Sequence, residues 1–205
     1  NITPVSIACG KTLSGAITVT AGTMKLDAKG TLASTSAMSG GTLDADESSI
    51  VSGTLSHTAN ITIDVADNKT LTYSGSAISV GANTLTLSGG GHLVSGGLDL
   101  NNANSKLLLN SITVDSVSTT IDNSLGVDVD NDSTITSLSV AHITPVSIAS
   151  GKTLSGAITL TAGSLNLSEA GTLASTISMS GGALDADESS TVSGALSHTA
   201  DITID

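Results

Sequence analysis

Apolar and polar residues alternate with a period of two along most of this chain. Ile17 and Val19 alternate with Thr18 and Thr20, and Ile61, Ile63 and Val65 alternate with Thr62 and Asp64. Leu85 and Leu87 are framed by Thr84, Thr86 and Ser88, and Val127 and Val129 by Asp128 and Asp130. This period sends successive side chains to opposite faces of a strand, one face inward and one outward. The alternating segments are short, and Gly, Asn-Asn or Ser-Gly-Gly interrupts them, residue types that favour turns. Helical spacing is nowhere sustained. The pattern predicts short strands throughout.

The strands recur. Residues Ile2 to Asp64 return as Ile143 to Asp205, and 49 of the 63 positions are identical. A shorter period lies inside this long one, marked by Ile17, Met38, Ile61, Ile78, Leu100, Ile121, Ile143, Ile158, Met179 and Ile202. Glycine phrases punctuate it: Gly10-Lys11-Thr12-Leu13, Gly30-Thr31-Leu32, Gly41-Thr42-Leu43, Gly53-Thr54-Leu55 and Gly91-His92-Leu93. In such arrays each unit buries its apolar face only by stacking on its neighbours.

The fold expectation is all-β: a parallel β-helix, or β-solenoid, of about ten coils of roughly 20 residues. Coils spaced by about 4.8 Å make a rod roughly 50 Å long. A β-sandwich also suits closely spaced short strands. It offers no reason, however, for a near-copy that stops after 63 residues. Residues 1–205 therefore read as a single continuous solenoid, with a repeat unit over 2–142 and a partial second copy over 143–205. This is read as a slice of a longer array, or as a subunit joined end to end to others. The inward set is Leu13, Ile17, Val19, Leu26, Leu32, Leu43, Leu55, Ile61, Ile63, Leu71, Leu85, Leu87, Leu93 and Ile135.

Composition narrows the core and the partners. There is no Phe or Trp, and Tyr73 is the one aromatic, so the interior must be thin and built from branched aliphatics. Hydrophobic residues still make up 39% of the chain, which argues against disorder. Six Lys, no Arg and eighteen acids give a net charge of −12. That balance argues against nucleic acid, whose phosphates need a basic surface, and against anionic lipid. No signal-like or membrane-spanning run is present. Cys9 stands alone, with Ser150 as its counterpart in the second copy, which excludes an intrachain disulfide and predicts a small buried position.

Four chemistries deserve a test. Asp128, Asp130 and Asp132 open like a calcium loop, but Ser133 stands where the turn needs Gly and Ser139 where a bidentate Glu belongs. A second calcium candidate is Asp44, Asp46 and Glu47, repeated as Asp185, Asp187 and Glu188. Solvated acids at strand edges are the competing reading. His57 and His198 are copies of one position, and His92 and His142 stand apart, with no spacing that suits zinc, so surface or corner positions are expected. Carboxylate pairs such as Asp46/Glu47 could serve hydrolysis, but adjacency in a strand would send them to opposite faces. Thr-x-Thr triplets at Thr18/Thr20, Thr70/Thr72, Thr84/Thr86, Thr134/Thr136 and Thr159/Thr161 suggest an ordered hydroxyl surface such as ice-binding proteins need. They do not recur at one lateral position on every coil, and the β-propensity of Thr accounts for them.

The phrases Asn83-Thr84-Leu85-Thr86-Leu87-Ser88-Gly89-Gly90-Gly91-His92-Leu93 and Gly151-Lys152-Thr153-Leu154-Ser155-Gly156 resemble repeats of bacterial secreted β-solenoids. The likeness is to autotransporter passenger domains and filamentous-haemagglutinin-like adhesins, and it lies in repeat style. It implies a right-handed parallel β-helix, an extracellular or cell-surface location, and a stalk or adhesion role without a shared catalytic motif. The functional expectation is a non-enzymatic structural rod of a large surface repeat protein, partnered by neighbouring repeats and requiring no cofactor. A self-assembling filament subunit is the alternative. A calcium-dependent adhesion module and a polysaccharide-acting enzyme stand behind it.

Overall fold

A computed structural model describes residues 5–27, 29–119 and 124–205, and the landmark Ile121 lies outside these. The described chain is built of strands, all paired in parallel, and no helix among them is long and apolar enough to cross a membrane. It winds as the expected solenoid, in two stacks. The first stack has eleven strands: Val5–Ile7, Thr23–Leu26, Thr42–Ala45, Ile61–Val65, Thr84–Ser88, Lys106–Asn110, Gly126–Val129, Pro145–Ile148, Ser164–Leu167, Ala183–Ala186 and Thr203–Ile204. The second begins with the long strands Thr12–Val19 and Thr31–Met38 and returns to that length at Ser133–Val140, Thr153–Leu160 and Thr172–Met179.

Between those long strands the second stack splits. Ser49–Val51 and Leu55–His57 both pair with Thr31–Met38, and His92–Val94 and Leu98–Leu100 both pair with Thr113–Thr119. The coils that split have three short faces, with a bend in the middle of the second stack. Glycine makes the bend where coils touch: a Cβ on Gly53 would lie 1.9 Å from the Ser34 carbonyl oxygen, and one on Gly194 1.6 Å from that of Ser175. Tyr73 fills the interior beside the bend, where its hydroxyl accepts a hydrogen bond from the Leu55 amide at 3.4 Å.

The alternation read from the sequence becomes the core. Every residue of the inward set is buried except Leu13 and Ile17, which are half-buried against it. Each fully buried aliphatic contributes roughly 1.5–3 kcal/mol, and stability accumulates coil by coil. Two buried hydroxyls are tied to the backbone: Ser34 donates to the Leu13 carbonyl at 3.0 Å and Ser175 to that of Leu154 at 3.1 Å. Cys9 departs from expectation. It is exposed, because the strand ends at Ile7 and Cys9 falls in the turn that follows.

The long repeat and the coil period do not match. The inward column through Met24 passes Leu43, Ile63, Leu87, Leu109, Val129 and Ile148 and reaches Leu167. The repeat equivalent of Met24 is Leu165, so the second copy sits two residues along from the first, about 6.6 Å of strand. A slip of two preserves which side chains face inward, whereas a slip of one would invert them. In the second stack the ladder breaks between Ile135 and Ser137 where it meets Gly156 and Ala157. Gly156 has φ of 124°, and a Cβ there would lie 1.7 Å from the Ile135 carbonyl oxygen.

Candidate cation site at the repeated acidic corner

The strand Thr42–Ala45 carries Asp44 on its outward side and ends before Asp46 and Glu47, which turn the corner to Ser49–Val51. The expectation that Asp46 and Glu47 point to opposite faces of a strand therefore fails, since neither is in a strand. Register sets Lys25 beside Asp44 on the next coil. Its ammonium lies 3.2 Å from Asp44 and 2.7 Å from Asp46, while Lys69 lies 2.7 Å from Glu47. The chain's own lysines thus occupy the positive place among these acids.

The titration of the three groups follows from this contact. Hydrogen bonds to Asp46 and then Asp44 push the Lys25 ammonium upward. The Asp46 carboxyl is held below its ordinary value chiefly by its hydrogen bond from Lys25. Asp44 moves the other way, because partial burial outweighs the lysine.

In the second copy Asn166 stands at the Lys25 position and Glu169 at that of Ala28. Asp185 lies outward on Ala183–Ala186, paired in register with Asn166. Asp187 and Glu188 are exposed in the following turn, and with Glu169 they line an open hollow of about 270 Å³.

The aspartate run is dispersed. Asp128 projects outward from Gly126–Val129 and pairs with Lys106 at 2.6 Å. Asp130 is exposed beyond the strand end, with Val129 buried between them. Asp132 accepts a hydrogen bond from the Thr153 amide at 2.8 Å. Among the described residues no group of three or more His, Cys, Asp or Glu is placed to hold a metal ion.

The histidines divide. His92 Nε2 lies 2.8 Å from Asp115, whose other oxygen accepts from the Ser95 amide at 3.2 Å. His57 sits at a corner, at the end of its strand and half-buried, in register with Met38, and its copy His198 is exposed. The His57 Nδ1 is 3.1 Å from the Ala59 carbonyl oxygen, and its Nε2 is buried without a partner among the described residues.

Sequence reasoning missed two arrangements that only register creates. One is the set of lysine–carboxylate pairs between coils. The other is an outward threonine column, Thr23–Thr42–Thr62–Thr86, which ends at Leu108. Its members are 19, 20 and 24 residues apart, and none of its steps is a Thr-x-Thr triplet. No family model matches the chain, and no curated protein or solved structure matches it either.

Proposed function

We propose that this chain is a non-enzymatic rod segment of a large extracellular or cell-surface repeat protein, adhesin-like, which sets length and presents surface. The observation that carries this reading is the aliphatic core that runs unbroken through the coils from Ile7 to Leu184. Rung-to-rung hydrogen bonds run along the long axis, so axial load at each coil junction is shared by the row of bonds between the two coils rather than by one contact. Lysine–carboxylate pairs between coils brace the outside, and coils of the same protein are the natural partners of such a body. The charge of −12 keeps an exposed rod solvated and separate from nucleic acid and anionic lipid.

Antibodies raised against the chain test the location on intact cells of its source. The rod reading expects labelling without permeabilisation, and labelling only after permeabilisation would contradict it. Small-angle scattering tests the shape: an elongated particle about 50 Å long is expected from ten coil spacings. A compact sphere of the same mass would end the rod reading.

A further inference from the structure

We propose that the second stack carries a groove, parallel to the rod axis, that binds a linear neutral polysaccharide. Outward positions in register form the column Thr70–His92–Thr113–Thr134–Ser155. Five coils span about 19 Å at 4.8 Å per step. Two open hollows lie along this column, of about 310 and 430 Å³, and they share Gly90 and Thr113, so they form one trough. A third, of about 290 Å³, shares Thr70 and carries the trough on to Ile50, an aliphatic side chain 44% exposed.

Glycine lets the coils close tightly beside the trough. Gly90 and Gly91 stand on the His92 coil, the second of the five, where a Cβ would lie 1.7 Å from the Asp67 carboxylate and 2.5 Å from the Ala66 carbonyl oxygen respectively. The ring of His92 is fixed by Asp115 on the next coil, so the wall beside the glycines is rigid.

The lining selects the ligand class. Thr113, Thr134 and Ser155 make no side-chain hydrogen bond within the described chain, so their hydroxyls are left to a ligand at the spacing of the coils. Asp132 uses one carboxylate oxygen on the Thr153 amide, and the other can accept from a hydroxyl. Ladder amides are already paired between coils, which denies a peptide the backbone bonds of strand addition. Lys29 and Lys69 line one end of the trough, but Lys69 is held by Glu47 at 2.7 Å, and an anionic polymer would meet Asp132 at the other end and a chain of charge −12. An extended polyol matches what remains: many hydroxyls to bond, C–H faces for Ile50, and no charge to repel. The trough adds a ligand to the rod reading and does not depend on where the rod is displayed.

Affinity electrophoresis of the intact chain tests this, in gels cast with a soluble β-glucan, an α-glucan, a galactomannan or anionic polygalacturonate. Retardation by at least one neutral polymer is expected. T134R and S155R should each weaken it at least tenfold, with unchanged circular dichroism, while T176R on the neighbouring face should leave it unaltered. Three results would each overturn the proposal: retardation by polygalacturonate alone, no retardation by any neutral polymer, or retardation equally weakened by T176R.

Discussion

The two copies of the repeat are an internal experiment, because the same coils are built twice with different side chains. At one inward position the first copy has Ser36 between Ile17 and Leu55, and the second has Ile177 between Ile158 and Leu196. Both residues are buried, Ser36 with only a 3.5 Å contact to the Ser34 carbonyl oxygen. At one outward position the first copy has Lys25 and the second Asn166. The inward difference changes packing and the outward one changes charge. Neither changes the path of the chain, which shows that parity and glycine placement govern the fold more than the identity of any one side chain.

The core difference carries the largest expected effect. Ile177→Ser removes a buried aliphatic and should cost about 2–4 kcal/mol, read as a lower urea midpoint or faster amide exchange in Thr172–Met179. Ser36→Ile is the converse and should stabilise Thr31–Met38 by about 1 kcal/mol, because its neighbours in register, Ile17 and Leu55, are apolar. Equal responses to the two substitutions would mean that the copies are not equivalent in packing.

The bend glycines should respond alike. Gly53→Ala and Gly194→Ala each push a methyl group into a carbonyl of the preceding coil, and each should cost about 2 kcal/mol by the same unfolding measurement. A harmless substitution at either site would show that the coil can bend without glycine there.

The charge difference is smaller and shows in pH dependence. The Asp46 carboxyl is depressed by Lys25, so its contribution is present above its unfolded value of 3.8 and is lost as pH falls through the lower folded value. The Lys25 contribution has the opposite sense: it is fully present below 10.5 and is lost only as pH rises through the raised folded value. Lys25→Asn should therefore destabilise the chain at neutral pH, and the gap from the parent should close on acidification. It should also return the Asp46 carboxyl toward its ordinary value and raise Asp44 further, both read by carboxyl NMR titration.

The smallest expected effect is with calcium. With no cage among the described residues, addition of calcium should shift the Glu169, Asp187 and Glu188 carboxyl resonances only weakly, and ahead of Asp44 and Asp46, which already hold Lys25. Tight saturation at either corner would contradict this order.

Local pattern was legible in the sequence and register was not. Alternation of the Ile61–Val65 kind fixes which side chains face inward, because parity is decided within a few residues. Lateral alignment depends on the length of every turn, and those lengths vary, so the meeting of Lys25 with Asp44 and Asp46 could not be read from spacing. The same limit hid the threonine column and the two-residue slip between copies. Cys9 was misplaced for a local reason, since a strand that ends at Ile7 leaves it in a turn rather than in the core. His57 was legible as a corner residue, although its register with Met38 leaves it half-buried.

Coils stack in parallel register at a constant rise, and distances between paired nitroxide labels report that rise. Thr62, Thr86, Leu108, Asp128, Ser147 and Asn166 follow one another on successive coils of one outward column. Labels at Thr86 and Ser147 should lie about 14 Å apart, and labels at Thr62 and Asn166 about 24 Å, a growth of about 4.8 Å per coil. Separations that do not grow in proportion to the number of coils would contradict the solenoid.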